Sequence, residues 1–307
     1  MTPAPLKKND WVAFAAPARS ITFEQLKPAI HMLENQGLNV LIPDGLFEVQ
    51  GQMAGTDEHR AALFQKLLND ERVGAIICAR GGYGTVRIID RLDFSRFIRK
   101  PKWIVGYSDI TVLHSHISRH CDIPTIHGTM AIDFPADADE RDCPSLTSLW
   151  PLLRGEHVCY DFENKDGGSA VKNRVGTCTA PIVGGNVSIL YSLLASPSDI
   201  DTDGKILLIE DLDEYLYHID RMMMALKRSG KLSGLKGLIV GAMTKMHDNE
   251  VPFGRTAEEI VRDAVADYDY PVAYGCPIGH IGVENVALPL GVQVSMQVFD
   301  NKTVVSL

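Results

Sequence analysis

The segment KWIVGYSDITVLHSHISRH, residues 102–120, joins a short apolar run directly to an amphipathic stretch. The run WIV is typical of a buried strand, and DITVLHSHI spaces its apolar residues as one face of a helix does. A strand that leads straight into a helix is the repeating unit of folds built on a parallel sheet. This segment therefore predicts that the chain around it forms an α/β fold.

The same alternation of strand and helix extends from residue 11 to about residue 150. Several predicted strands are apolar on both faces, as in a parallel sheet that helices cover on each side. We therefore predict a doubly wound α/β domain. One of its helices has the spacing of a capping box at Thr22 and Gln25 and ends before Gly37. The predicted strands are WVAFAAPA (11–18), LNVLIPD (38–44), VGAIICAR (73–80) and KWIVGYS (102–108), and the predicted helices are ITFEQLKPAIHMLENQG (21–37), DEHRAALFQKLLND (57–70), GTVRIIDRL (84–92) and DITVLHSHISRH (109–120).

A polar stretch with two adjacent glycines interrupts this pattern and is predicted to be a linker, residues 155–172. It divides the chain into an N-terminal domain, residues 1–154, and a smaller C-terminal domain, residues 173–307. The second domain is predicted to be mixed α/β. Its predicted helices are NVSILYSLLAS (186–196), LYHIDRMMMALKRSG (216–230) and TAEEIVRDAVADY (256–268). Its predicted strands are KILLIED (205–211), LKGLIVGAMT (235–244) and PVAYGCP (271–277), followed by C-terminal β segments that end in TVVSL (303–307).

The composition excludes several classes of protein. Hydrophobic residues make up 45% of the 307 residues and charged residues 22%, as in a globular protein of about two domains. A formal net charge of −9 without a dense basic run disfavours nucleic-acid and anionic-membrane partners. No apolar window approaches the length of a membrane span, and the N-terminus resembles a first strand more than a secretory signal. We therefore expect a cytoplasmic protein with neither partner.

Ser108 lies in GYSDIT, residues 106–111, at the corner between a predicted strand and a predicted helix. At such a corner the serine Oγ stands above the sheet edge, beside the free N–H groups and the positive end of the helix. This is the setting of a nucleophilic serine, although Ile110 stands where the pattern G-x-S-x-G has its second glycine. The alternative interpretation is that Ser108 only caps the helix, with Asp109 in its first turn.

A second corner, ARGGYGT at residues 79–85, contains the adjacent glycines Gly81 and Gly82. Such a pair lets the backbone approach a ligand closely and direct N–H groups at a phosphate or a developing oxyanion. Loops that leave the carboxyl ends of neighbouring parallel strands meet in one crevice, so we expect this loop near Ser108. Amide donors beside a hydroxyl suit acyl transfer. The alternative from another class is a nucleotide- or sugar-phosphate-binding protein in which the loop holds phosphate.

A nucleophilic serine needs a base, and a histidine base needs an acceptor that orients it. His280 lies in CPIGHIG between Gly279 and Gly282, on a loop that can present a side chain. Glu210 follows the apolar residues of KILLIE, where a carboxylate lies at the carboxyl end of a strand. Each residue also has an ordinary interpretation, as a loop histidine and as a carboxylate that caps a turn. His127, at the end of another predicted strand, is the second candidate for the base.

Metal and thiol chemistry have weaker support. His116 and His120 have the spacing of a helical metal pair, but the glutamate of H-E-x-x-H and an evident third ligand are missing, so we expect no metal. Cys276 lies within a strand-like run, which disfavours a thiol enzyme. The six cysteines include no CxxC pair, and we expect them to be reduced. His218 and His247 are predicted to be surface residues.

Taken together, these segments resemble the LD-carboxypeptidase family of serine peptidases. The resemblance extends over nearly the whole chain and follows the order of the family's motifs. It implies a flavodoxin-like N-terminal domain and a smaller, swivelling β/β/α C-terminal domain with the active site between them, in a homodimer. The matching segments are AAPA (15–18), ARGGYGTVRIID (79–90), IVGYSDITVL (104–113), IHGTM (126–130), IVGGNVSIL (182–190), LLIEDLDEYLYHIDRM (207–222), LKGLIVGAMT (235–244) and PIGHIGVENVALPLG (277–291).

By motif position, the family's Ser-Glu-His triad falls on Ser108, Glu210 and His280. In these roles Ser108 attacks the carbonyl carbon, His280 takes and returns the proton, and Glu210 orients the imidazole. The backbone amides of Asp109 and Gly82 would then form the oxyanion hole. The resemblance thus implies an enzyme without a cofactor.

The resemblance also implies a substrate, a cytoplasmic muropeptide whose tetrapeptide stem loses its terminal D-alanine during peptidoglycan recycling. We assign Gly81 and Tyr83 to the binding of this substrate. A second branch of the family, the immunity peptidases that cleave processed microcin C and similar aminoacyl nucleotides, shares the triad. That branch is the alternative within the family.

Overall fold

The computed structural model describes residues 1–136, 142–163 and 171–307, which divide into two compact units. The first unit contains Met1–Glu156 and Gly282–Pro289, and the second contains His157–Ile281 and Leu290–Leu307. The return of Gly282–Pro289 to the first unit differs from the predicted division, which assigned this segment to the second domain. Within the described residues, no helix is long and apolar enough to cross a membrane.

The first unit is built on a six-stranded sheet whose strand order is β11-β5-β4-β3-β1-β2. Strands β2, β1, β3, β4 and β5 each pair in parallel with the next, and this order, 2-1-3-4-5, is that of flavodoxin. The predicted flavodoxin-like, doubly wound fold is confirmed. The strands are β1 (Trp11–Ala15), β2 (Asn39–Leu41), β3 (Val73–Cys78), β4 (Trp103–Gly106), β5 (Thr125–His127) and β11 (Leu288–Leu290).

Among its described residues, the first unit also contains five α-helices: α1 (Phe23–Asn35), α2 (Asp57–Asn69), α3 (Ser95–Arg99), α4 (Thr111–His120) and α5 (Pro144–Leu153). The predicted capping box of α1 is present, because Thr22 accepts from the N–H of Gln25 and the Gln25 side chain accepts from the N–H of Thr22. The predicted helix over residues 84–92 is instead two 3₁₀ turns. Its β-branched residues, among them Val86 and Ile88, disfavour a longer helix.

The second unit contains a seven-stranded mixed sheet in the order β10-β9-β8-β7-β12-β13-β6. Strands β10, β9, β8 and β7 pair in parallel, whereas β7, β12, β13 and β6 pair antiparallel. The predicted mixed α/β class is confirmed, and swivelling stays a prediction. The strands are β6 (Cys159–Glu163), β7 (Gly176–Asn186), β8 (Ile206–Leu212), β9 (Gly237–Thr244), β10 (Val272–Ala273), β12 (Gln293–Val298) and β13 (Lys302–Ser306).

Part of the predicted linker is strand, because β6 lies within it, whereas residues 164–170 lie outside the described residues. The domain limits at residues 154 and 173 stay predictions. Three helices, α6 (Val187–Ser192), α7 (Leu216–Arg228) and α8 (Ala257–Ala264), contribute to the core of this unit. In that core the fully buried Met222 and Met223 of α7 belong to the same apolar cluster as Leu207 and Ile209 of β8.

Gly184 brings the end of β7 against β8. Its φ is 123°, and a Cβ at this position would overlap the backbone carbonyl oxygen of Leu208. Gly185, with a φ of 140°, continues the same irregular backbone up to Asn186, which pairs with Glu210 of β8. Gly184 is therefore required by the close approach of two parallel strands, whereas Gly185 is favoured by its positive φ.

Replacing Gly184 with alanine should destabilise the second unit strongly. The positive φ and the overlap with a backbone oxygen together should lower the free energy of unfolding by about 3 kcal/mol or more. Gly204→Ala is the matched control, since its φ is 69° and nothing lies within 4 Å of the added Cβ; the cost there should be about 1 kcal/mol. Scanning calorimetry of both variants tests this, and equal losses would contradict it.

Candidate active site

Ser108 occupies the sharp turn between β4 and α4. Its φ is 62°, in the left-handed region that residues other than glycine rarely adopt. The turn begins with Tyr107 as its N-cap, and α4 begins after Ile110; neither cap makes a side-chain hydrogen bond. Ser108 is therefore not the helix cap that the alternative interpretation required. A serine in a strained strand-to-helix turn is the geometry of a nucleophile elbow.

The loop after β3 lies against this serine, as predicted from the sequence. A Cβ on Gly81 would stand 3.1 Å from Ser108 Cβ and 3.2 Å from Ser108 Oγ, so the loop has room there for little more than a hydrogen atom. Gly82 follows with a φ of 107° and is exposed, and the next residue, Tyr83, is 46% exposed. The assignment of these residues to the oxyanion hole and to substrate binding stays a prediction.

A buried carboxylate fixes the loop to the serine turn. Asp109 is 1% exposed, and its Oδ2 accepts a hydrogen bond of 2.9 Å from the N–H of Thr85; burial raises the pKa of this carboxyl. On the other side of the loop, Nη1 of the buried Arg60 donates to the carbonyl oxygens of Gly84, at 2.9 Å, and Pro17. The burial of Arg60 could not be predicted from the sequence, because an arginine in an amphipathic helix has the pattern of a solvent-exposed residue.

In the second unit, His280 and Glu210 form a close pair. The distance from His280 Nδ1 to Glu210 Oε2 is 2.6 Å, the Glu210 side chain is fully buried, and the His280 side chain is 13% exposed. Glu210 lies within β8, two residues before its end, beside a bulge in the pairing with β9. A histidine with one nitrogen on a buried carboxylate and a partly accessible ring can accept a proton at its other nitrogen.

Two glycines leave room for the Glu210 side chain. A Cβ on Gly279, whose φ is 114°, would lie 2.6 Å from Glu210 Oε2. A Cβ on Gly241 in β9 would overlap the backbone carbonyl oxygen of Ile278, at 2.5 Å, and would lie 3.2 Å from Glu210 Cβ. The glycine before His280 is therefore required by the carboxylate beneath it as well as by the backbone turn.

Asp211, the residue after Glu210, anchors the neighbouring helix. Its carboxylate is 1% exposed and accepts hydrogen bonds of 2.9 Å from Asn186 Nδ2 and from the N–H of Ser188 at the start of α6. Burial, together with the charge of the adjacent Glu210, raises the pKa of Asp211 to about 7. Sequence reasoning did not single out this residue, because a second acidic residue at a strand end has the pattern of a surface position.

The other candidate histidines have different surroundings. His127, the second candidate for the base, is fully buried at the end of β5, with its ring centroid 5.9 Å from that of Tyr107. A ring without exposed surface cannot exchange protons with a substrate as directly as His280 can. His116 and His120 have ring centroids 4.5 Å apart, and no group of three metal-ligating side chains occurs among the residues that the structure describes.

The thiol interpretation of Cys276 has no support from its surroundings. Burial raises the pKa of this thiol to about 12, and a buried neutral thiol is inert. All six cysteines are free. His247, whose side chain is 49% exposed, contacts Asp213, whereas the partly buried His218 contacts Glu214.

A serine in a strained strand-to-helix turn and a histidine on a buried glutamate are components of a serine hydrolase. The chain belongs to the LD-carboxypeptidase family. Residues 12–128 match the model of the LD-carboxypeptidase N-terminal domain, and residues 179–296 match that of the C-terminal domain. The family that the sequence motifs indicated is therefore confirmed.

The chain is also similar to individual proteins along its whole length. It is 36% identical to the "Probable murein peptide carboxypeptidase" of Bacillus subtilis (strain 168), covering 99% of this chain and 93% of the relative. The crystal structure of muramoyltetrapeptide carboxypeptidase from Oxalobacter formigenes is 25% identical, with a TM-score of 0.85 over 96% of this chain and 98% of the other. The microcin C7 self-immunity protein MccF in complex with aspartyl sulfamoyl adenosine shares the fold at 20% identity. Its TM-score is 0.87, over 100% of this chain and 98% of the other.

The raised pKa of Asp211 predicts a pH dependence of stability. Because the folded protein binds this proton more tightly than the unfolded chain does, the free energy of unfolding should fall as pH rises from about 4 to 7, by at most about 1.4 kcal/mol per pH unit. Asp211→Asn should remove this part of the slope, whatever its effect on absolute stability. Urea titrations at pH 5, 6 and 7 measure it, with the exposed Asp300→Asn as control. An unchanged slope in Asp211→Asn would contradict the assignment.

Proposed function

We propose that this protein is a serine carboxypeptidase that hydrolyses the L,D peptide bond of murein tetrapeptides and releases the terminal D-alanine in peptidoglycan recycling. The observation that carries the proposal is the 2.6 Å contact between His280 Nδ1 and the fully buried Glu210 Oε2. The substrate class is supported by the relative from Bacillus subtilis, which is named for murein peptides. We further propose that Ser108, His280 and Glu210 form one catalytic triad.

The histidine–glutamate pair sets the direction of proton transfer. A carboxylate only accepts hydrogen bonds, so Nδ1 of His280 must hold the proton between the two residues. The lone pair of the neutral ring is then at Nε2, which takes the proton of the serine hydroxyl. The imidazolium that forms is stabilised by the adjacent Glu210 and gives its proton to the amino group of the departing D-alanine.

Ser108 supplies the electron pair for the first step. Its Oγ bonds to the carbonyl carbon, the carbonyl oxygen becomes an oxyanion, and collapse of this intermediate breaks the C–N bond and leaves an acyl-enzyme. Water, deprotonated by His280, then releases the shortened peptide and restores the serine. The N–H of Asp109, in the first turn after Ser108, and the N–H of the exposed Gly82 are the proposed oxyanion donors.

We also propose the setting in which this reaction takes place. Six cysteines without a disulfide fit a reducing compartment, which supports a cytoplasmic location. A net charge of −9 fits a small soluble peptide better than an anionic polymer as substrate, and it disfavours nucleic-acid partners. The homodimer is supported by the family resemblance, and Gly81 and the half-exposed Tyr83 are the proposed substrate contacts.

Purified protein incubated with defined substrates tests the proposed activity. We expect release of D-alanine from the tetrapeptide, little cleavage of the D-Ala–D-Ala bond of the pentapeptide, and none of an all-L peptide, because polar groups arranged for one stereochemistry stay unpaired with the other. Mass spectrometry of the products is the measurement. Preferred cleavage of the all-L peptide would contradict the proposal. Cleavage of an aminoacyl sulfamoyl adenosine without tetrapeptide activity would favour the immunity-peptidase branch.

The proposed triad predicts a common effect of three substitutions. Ser108→Ala and His280→Ala should each lower kcat by roughly 10⁴-fold or more, because triad residues act as one unit. Glu210→Gln should lower it by a similar order, since an amide can impose the wrong tautomer on the ring. His157→Ala, an exposed histidine of the same unit, is the control. Ser108→Ala with more than a tenth of the wild-type kcat would rule out the mechanism.

A further inference from the structure

The first unit contains a half-buried arginine without a partner, close to Ser108. Arg19 follows β1, and its guanidinium makes no hydrogen bond or ion pair with any residue that the structure describes. Most other arginines that lack a hydrogen bond or ion pair with the described residues are exposed, whereas the buried Arg60 is held by Asp57 and two carbonyl oxygens. Removing a cation from water is costly unless an anion compensates it, so an arginine in this position is suited to a charged ligand.

The backbone of Arg19 is fixed on two sides. Its N–H donates to the carbonyl oxygen of Gly81 over 3.4 Å, and it forms an antiparallel bridge with Met53. Its side chain crosses the glycine loop, because a Cβ on Gly82 would overlap Arg19 Cδ and lie 2.5 Å from Arg19 Cγ. The stem of the side chain therefore occupies the space that a side chain on Gly82 would need, and the φ of 107° at Gly82 favours glycine there as well.

The Arg19 side chain and Ser108 lie against neighbouring residues of the same loop, Gly82 and Gly81. Gly81, the neighbour of Gly82, is the residue whose added Cβ would lie 3.2 Å from Ser108 Oγ. Consecutive Cα atoms are about 3.8 Å apart, so the arginine stem lies about one residue from the glycine that contacts the serine. In a carboxypeptidase substrate, the free carboxylate also lies one residue beyond the scissile carbonyl, a span of about 3.5 Å.

From this correspondence we infer that Arg19 binds the free α-carboxylate of the substrate's C-terminal residue. The inference rests on the proposed carboxypeptidase function. A guanidinium presents two parallel N–H groups that match the two oxygens of a carboxylate. The resulting bidentate contact orients the leaving residue on the glycine loop. It also restricts the enzyme to the last peptide bond of a chain, because an internal residue would leave Arg19 unpaired.

A pair of substrates that differ in one group tests the inference, namely the murein tetrapeptide with a free C-terminal carboxylate and the same peptide with a C-terminal amide. The wild-type protein should prefer the acid by about 100-fold in kcat/KM. Arg19→Gln should lower kcat/KM for the acid by about 100-fold and change that for the amide by less than about threefold, so that the preference disappears. Activity retained on the amide also shows that the variant is folded.

Two further variants complete the experiment. Arg80→Gln is the matched control, because Arg80 is also half-buried, has no partner among the described residues and precedes the same glycine pair; its acid-to-amide ratio should equal that of the wild type. Arg19→Lys keeps the charge but not the paired N–H groups, and it should lose most of the preference. It replaces Arg19→Gln as the test if the glutamine variant does not fold.

The possible results separate this inference from the proposed function. If the wild-type protein cleaves neither peptide, the proposed function is wrong, and the assignment of Arg19 is wrong with it. If it cleaves both peptides equally, or if Arg19→Gln weakens both to the same extent, the carboxypeptidase function stands and the assignment of Arg19 is overturned. Loss of the preference in Arg80→Gln but not in Arg19→Gln would overturn it equally.

Discussion

The hydrogen bond from the N–H of Thr85 to the buried carboxylate of Asp109 is the constraint on which the nucleophile's surroundings depend. It joins the loop after β3 to the turn after β4, and thereby sets Gly81 against the side chain of Ser108. A carboxylate in this position is costly to bury, and its hydrogen bond and the nearby Arg60 offset part of that cost. Residues 84–92 are thus positioned by contacts between these two loops, and they form two 3₁₀ turns instead of the predicted regular helix.

The second unit also buries a carboxylate and compensates its burial with a hydrogen bond. Glu210 is fully buried, and glycine at positions 241 and 279 gives its side chain space, while His280 supplies the hydrogen bond that compensates burial. In both units a buried carboxylate is oriented by a short, glycine-rich loop at the end of a strand. Side chains held in this way change little in position when a reaction begins, which is what electrostatic catalysis requires.

The parts that could be predicted from sequence are those in which each segment determines its own structure. The apolar strand β3 and the capping box of α1 are examples, because their local sequence patterns are sufficient to predict the structure that they adopt. Strand β7 was missed, because Pro181 and the pair Gly184–Gly185 have the composition of a turn, and only the neighbouring strands make the segment extended. For the site, Ser108 and Glu210 were marked by strand ends, whereas the burial of Arg60 arises from contacts that no local pattern encodes.

The return of residues 282–289 to the first unit has a consequence for how the chain is made. Strand β11, at the edge of the first sheet beside β5, comes from a segment that follows nearly all of the second unit in sequence. On the ribosome, the first sheet therefore lacks its edge strand until translation has passed residue 290. During that time β5 has an open edge, which can pair with other nascent chains. The second unit, which includes β12 and β13, is likewise completed only by residues that follow β11, so both sheets wait for the last part of the chain.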